Sequence, residues 1–220
     1  MIYFRSDYSL GAHPKVMQAL IDTNMEHTDG YAEDKYSFET ADMIREMIGK
    51  PDAHIHFMVG GTPTNTITIA AALRPFEGVI SADSGHIYVH ETGSVEATGH
   101  RVFAAPTEDG KLRPADIEKV LLHHEDEHTV IPKMVYITHP TENGGVYTKA
   151  ELQALHDCCK KHGLYLYADG ARLGTALTWP GNDITLKDMA DLTDAFYIGG
   201  TKLGALFGEA LVIMDDKIND

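Results

Sequence analysis

The chain has 220 residues, enough for one large domain or one domain with a fragment of another, and its 43% hydrophobic and 23% charged content is ordinary for a globular protein. Its formal net charge of −15 argues against non-specific nucleic-acid binding, which needs clustered Lys and Arg, and disfavours an anionic membrane surface. The expected partner is a small molecule or another copy of the chain.

In chain order, "HPKVMQALIDTNMEH" reads as a helix with a proline in its first turn and Val16, Leu20 and Ile21 on one side. "SFETADMIREMIGK" reads as a second helix, with Phe38, Ala41, Ile44, Met47 and Ile48 along one stripe and Gly49 as its stop. "AHIHFMVGG" is a strand running into glycines, and "TPTNTITIAAAL" a helix rising from them. The apolar runs "GVISAD", "HRVFAA", "PKMVYITH", "GLYLYADG", "DAFYIGG" and "EALVIM" read as further strands. Between them lie the helical patterns "RPADIEKVLLHH" and "TKAELQALHDCCKKHG", the second opening with Thr148 and Glu151 at capping-box spacing. Continuous apolar strands separated by amphipathic helices predict an α/β fold, three-layer α/β/α around a mainly parallel sheet. The two cysteines, Cys158 and Cys159, are adjacent and supply neither a disulfide framework nor a spaced metal pair. The histidines in "HIH" and "HH" lack an i, i+4 pairing with a carboxylate, so no metal site is expected. Without a basic, apolar leader or a long apolar run, the expected location is the cytoplasm.

In such sheets ligands sit at the carboxyl ends of strands. Four strand ends carry suggestive residues. Gly60, Gly61 and Thr62 open a helix and could cradle a phosphate, or form only a tight turn with Thr62 as cap. His86 could stack on a flat ring or move protons, or be a hydrogen-bonded structural histidine. Asp169 ends a very apolar strand; it could hold a protonated ring nitrogen, or be a turn aspartate or half of an Asp169–Arg172 ion pair. Lys202, in an apolar and glycine-bounded setting, could be an amine nucleophile toward aldehydes, or a lysine reaching from a loop to water. Together the four supply what pyridoxal 5′-phosphate requires: a phosphate cradle, a stacking group, an anion for a ring nitrogen and an amine for an aldehyde.

"FRSDYSLGAHPKVMQAL", "GGTPTN", "SGHIYVHETG", "YADGARLGTAL" and "GGTKLGALFGEALV" together resemble the threonine aldolase and β-eliminating lyase family, pyridoxal-phosphate enzymes of the aspartate-aminotransferase fold type. The resemblance runs from Phe4 to about Ile213. It implies that Lys202 bonds the cofactor aldehyde, Asp169 pairs with the ring nitrogen, His86 stacks on the ring, and Gly60, Gly61 and Thr62 hold the phosphate. Arg172 would lie at the cofactor and bind the substrate carboxylate, with Ser6 and Asp7 at the substrate end of the pocket. His128 resembles a second histidine near the substrate hydroxyl, so His86 or His128 would be the base. Where many family members carry an Asn-Thr-His-Asn type run, this chain reads "HPTENGGVYT" over residues 139–148.

The implied activity is cleavage of L-threonine, L-allo-threonine or related β-hydroxy amino acids to glycine and an aldehyde. The alternatives are a β-eliminating amino-acid lyase and a cofactor-binding form with little turnover. The resemblance further implies that residues 1–220 are a pyridoxal-phosphate-binding, transferase-like large domain, with residues 1–30 near the substrate site and the family's C-terminal small domain absent. It also implies a homodimer or homotetramer, with "DGYAEDKY" (residues 29–36) reaching the partner's site.

Overall fold

The computed structural model describes residues 5–124 and 126–219; Phe4, where the resemblance begins, lies outside them. The first half contains α1 (Pro14–Thr23), α2 (Lys35–Ile48), β1 (His54–Met58), α3 (Gly61–Ala72), β2 (Glu77–Ala82), the single turn α4 (His86–Val89), β3 (Arg101–Ala105) and α5 (Pro114–Leu122). The second contains β4 (Ile131–Thr138), α6 (Lys149–His162), β5 (Tyr165–Asp169), α7 (Leu173–Thr178), α8 (Leu186–Leu192), β6 (Ala195–Gly199), β7 (Glu209–Ile213) and α9 (Asp216–Asn219). Each strand read from the sequence is present, as are the helices read there. The short α4, α7, α8 and α9 carry too few turns to show a periodic stripe.

The strands form one sheet in the order β1-β7-β6-β5-β4-β2-β3. β7 runs antiparallel to both its neighbours, β1 and β6, and the other strands point the same way. Alternation along each strand feeds two cores. Met134, Tyr136, Tyr167 and Tyr197 pack with Ile69 of α3, Leu73 just after it, Ile87 of α4 and Ile218 of α9. Val135, Ile137, Leu166 and Phe196 face the opposite layer, with Ile44 and Ile48 of α2, Ile117 of α5, Leu152 and Leu155 of α6 and Met189 of α8. The sheet is thus covered on both faces, and its continuous apolar runs follow from that.

Local signals set the helix ends. Asp34 caps α2 by accepting from the N–H of Tyr36 and Ser37 at 2.9 and 3.0 Å, and Gly49 ends it at φ 66°. Thr148 and Glu151 form the reciprocal capping box that opens α6. The apolar stripe of α2 is narrower than expected: Ala41, Ile44 and Ile48 are buried, whereas Phe38 and Met47 are exposed. α1 buries none of its residues, and Leu20 and Ile21 face outward. Among the described residues no helix is long and apolar enough to cross a membrane.

Candidate active site

Because β1, β2, β5 and β6 point the same way, the residues that follow them meet at one edge of the sheet. Gly60, Gly61, Thr62, His86, Asp169, Thr201 and Lys202 line a single cavity of about 350 Å³. Lys202 also borders a larger adjoining cleft of about 1190 Å³ lined by Ser6, Asp7 and His13.

The start of α3 is open. Gly60 is its N-cap and offers no side chain, so Thr62 is inside the first turn rather than the cap. The first amides of a helix have no partner within it; Pro63 has no N–H, and Thr64 turns its own back to Gly60 O at 3.1 Å. Those of Gly61 and Thr62 remain for a ligand. A Cβ at Gly61 would sit 2.9 Å from the Tyr197 hydroxyl, so glycine is what lets the backbone come this close.

Asp169 is 4% exposed and takes four hydrogen bonds. Its Oδ1 accepts from the Tyr197 hydroxyl at 2.5 Å and the Ala171 amide at 2.9 Å. Its Oδ2 accepts from the Tyr136 hydroxyl at 2.6 Å and Asn65 Nδ2 at 2.9 Å. Burial pushes the Tyr136 and Tyr197 hydroxyls far up, and the adjacent carboxylate adds to this, so both remain donors. The Asp169–Arg172 ion pair considered from the sequence does not form. Arg172 bonds Asp7 through Nε and Nη2 instead, with Glu142 at 3.7 Å from Nη1. Among the described residues no cationic side chain pairs with Asp169. A buried carboxylate without a cation is costly, and a protonated ring nitrogen is a fitting complement.

Lys202 sits in a short 3-10 turn, Thr201–Leu203, with its Nζ 5.6 Å from the Tyr8 ring centre and no ion pair among the described residues. Glu209 fixes that turn: its carboxylate accepts from the Gly200 amide at 2.8 Å and the Thr201 hydroxyl at 2.7 Å. Burial pushes the Glu209 carboxyl up. His86 begins α4, and its Nδ1 lies 2.8 Å from Glu91 Oε1. The bond to Glu91 raises the His86 imidazole, against the opposing effect of burial.

His128 is not brought to this place. It precedes β4, at the opposite edge of the sheet from His86, and its exposed ring bonds Asp126 at 2.7 Å. The eight residues of β4 put roughly 25 Å of strand between the two edges. Spacing along the chain suggested the site; the direction of β4 excludes it within one chain. Residues 29–36 lie on the surface, with Tyr31 fully exposed.

Sequence reasoning missed Asn65, Glu91, Tyr136, Tyr197 and Glu209. A signal was present for the tyrosines: Tyr136, Tyr167 and Tyr197 each sit inside an apolar strand, where a hydroxyl must find a partner.

The family described as "Beta-eliminating lyase" matches residues 3–220. The "Low specificity L-threonine aldolase" of Pseudomonas aeruginosa is 32% identical over 214 residues, which are 96% of this chain and 62% of that protein. The protein of the same name in Escherichia coli K12 is 27% identical, covering 99% of this chain and 64% of its own length. This chain therefore spans somewhat less than two thirds of the relatives it matches. The solved Leishmania major threonine aldolase superposes with a TM-score of 0.96 at 53% identity, over 97% of this chain and 62% of that one. A Thermus thermophilus aspartate aminotransferase, 18% identical, shares the fold with a TM-score of 0.73 over 96% of this chain and 56% of its own. With strand ends, sheet order and sequence in agreement, the chain belongs to the β-eliminating lyase family.

Proposed function

We propose that this chain binds pyridoxal 5′-phosphate and acts as an aldehyde-lyase on L-threonine, L-allo-threonine or related β-hydroxy amino acids, giving glycine and an aldehyde. The observation that carries the reading is Asp169: a buried carboxylate that, like Lys202 in the same cavity, has no ion-pair partner among the described residues, beside an open helix start. When bound, pyridoxal phosphate supplies an electron sink for a bond broken at the amino-acid Cα.

The chain's own residues divide the remaining work. The Gly61 and Thr62 amides and the Thr62 hydroxyl would hold the phosphate. Asp169 would keep a proton on the ring nitrogen, and Tyr136, Tyr197 and Asn65 hold Asp169. Lys202, on a turn fixed by Glu209, would hold the cofactor at its aldehyde through the side-chain amine. Arg172 would bind the substrate carboxylate in exchange for Glu142, which stands 3.7 Å from its Nη1, while Asp7 holds its Nε and Nη2 and Ser6 lines the adjoining cleft. His86 takes the proton of the substrate hydroxyl as Cα–Cβ breaks, and its position in the cavity favours it over His128. Exposed apolar side chains along residues 10–25, among them Leu10, Ile21 and Met25, support assembly as a homodimer or homotetramer.

Pyridoxal phosphate added to the protein should give a visible absorption band, and borohydride reduction should leave a mass tag on Lys202. A tag elsewhere, or none, overturns the cofactor reading. Glycine and acetaldehyde from threonine support aldol cleavage; a 2-oxo acid and ammonia would assign β-elimination instead.

A further inference from the structure

The carboxylate of Glu91 is completely buried, yet no Lys or Arg reaches it among the described residues. Its Oε1 accepts from Asn65 Nδ2 at 2.7 Å and meets His86 Nδ1 at 2.8 Å, and its Oε2 accepts from the Ser94 hydroxyl at 2.7 Å. Asn65 is equally constrained. Its Oδ1 accepts from the Tyr167 hydroxyl at 2.8 Å, so its amide protons point at two carboxylates, Glu91 and Asp169. This leaves one orientation for the amide: reversing it would set its oxygen against both carboxylates. His86, Glu91, Asn65 and Asp169 form one chain of hydrogen bonds that begins and ends on residues lining the cavity.

We propose, resting on the function above, that Glu91 is a positioning residue for His86: it accepts the Nδ1 proton, so the neutral ring presents an unprotonated Nε2 to the cavity, and through Asn65 it fixes that ring relative to Asp169. A carboxylate on one imidazole nitrogen sets the tautomer and makes the other nitrogen the stronger base. Nε2 has no hydrogen-bond partner among the described residues, and His86 lines the cavity. The groups that face the ring are Glu91 and His90 beside α4, Asp169 from β5, Glu142 from the loop after β4 and Lys202 after β6. Of these only Glu91 touches Nδ1. The neutral amide of Asn65 donates to both carboxylates and so joins them through a hydrogen bond to each.

The test is nitrogen-15 and proton NMR of the labelled chain, with the His86 signals assigned by their loss in His86→Gln. The neutral ring should carry its proton on Nδ1. Glu91→Gln keeps an acceptor for Nδ1 and removes the charge, so it should lower the His86 pKa by about one unit or more while leaving distant histidines in place. A neutral ring protonated on Nε2, or a His86 titration within about 0.2 units of the parent, overturns the proposal. The first measurement uses the unaltered chain and decides the matter even if Glu91→Gln does not fold. With the cofactor bound, the acid limb of the kcat profile should move to lower pH by the same interval; a loss of rate at every pH without that shift would mark Glu91 as structural only and overturn the assignment. The NMR readings need no turnover, so an untagged Lys202 beside a Glu91-dependent His86 would sink the lyase reading alone.

Discussion

Asp169 shows how a single residue can dictate its surroundings. Its four donors come from two strands, a helix and the loop after β5, and the three side-chain donors are buried with it. Tyr197→Phe removes one donor to a charged acceptor and should lower unfolding stability by about 2 kcal/mol in urea titrations. Tyr165→Phe, on a ring that makes no such bond, should change little. His139 poses a different problem. It is 2% exposed, neither ring nitrogen has a partner among the described residues, and burial together with nearby Lys111 pushes its pKa down to about 4. The folded protein therefore holds His139 neutral where the unfolded chain binds a proton near pH 6.5. Its stabilising share is complete above that pH and is lost as pH falls from about 6.5 to about 4, some ~3 kcal/mol in all. His139→Leu should flatten the pH dependence of unfolding in that window; an unchanged slope would show that other groups carry it.

Between elements, the close approach of the β5 and β6 ends is the decisive contact. A Cβ on Gly170 would lie 1.8 Å from the Tyr197 carbonyl oxygen, and one on Gly199 2.4 Å from that of Ala171. The Gly199 amide donates to Gly170 O at 3.0 Å, so Asp169 and the Lys202 turn are set by the same join. Gly170→Ala must push the two strand ends apart, and should cost about 3 kcal/mol of stability and weaken the borohydride tag at Lys202. Gly30→Ala, where a Cβ meets nothing within 4 Å, should stay within about 0.5 kcal/mol and keep the tag. Both glycines are visible in the sequence; the backbone pressing on one of them is not.

On the scale of the whole molecule, α1 has an apolar side and buries none of it, and Leu10 and Met25 beside it are 90% and 86% exposed. Sedimentation should therefore find a mass above 24.2 kDa that falls on dilution, and Leu10→Asp with Ile21→Asp should reduce it. A monomer at all concentrations would refute the assembly reading. The sequence by itself determined the alternation of strands and helices, the mainly parallel sheet and the four strand ends. Apolar runs, caps and glycines act within a few residues of chain, and a parallel sheet then gathers its carboxyl ends at one edge. Only the tertiary structure decided what those ends meet. It turned Arg172 to Asp7 and not to Asp169, left His128 at the far edge of the sheet, and joined His86 to Asp169 through Glu91 and Asn65. Such partners are far apart in sequence, and strand order and direction, which local pattern does not encode, bring them within hydrogen-bond reach.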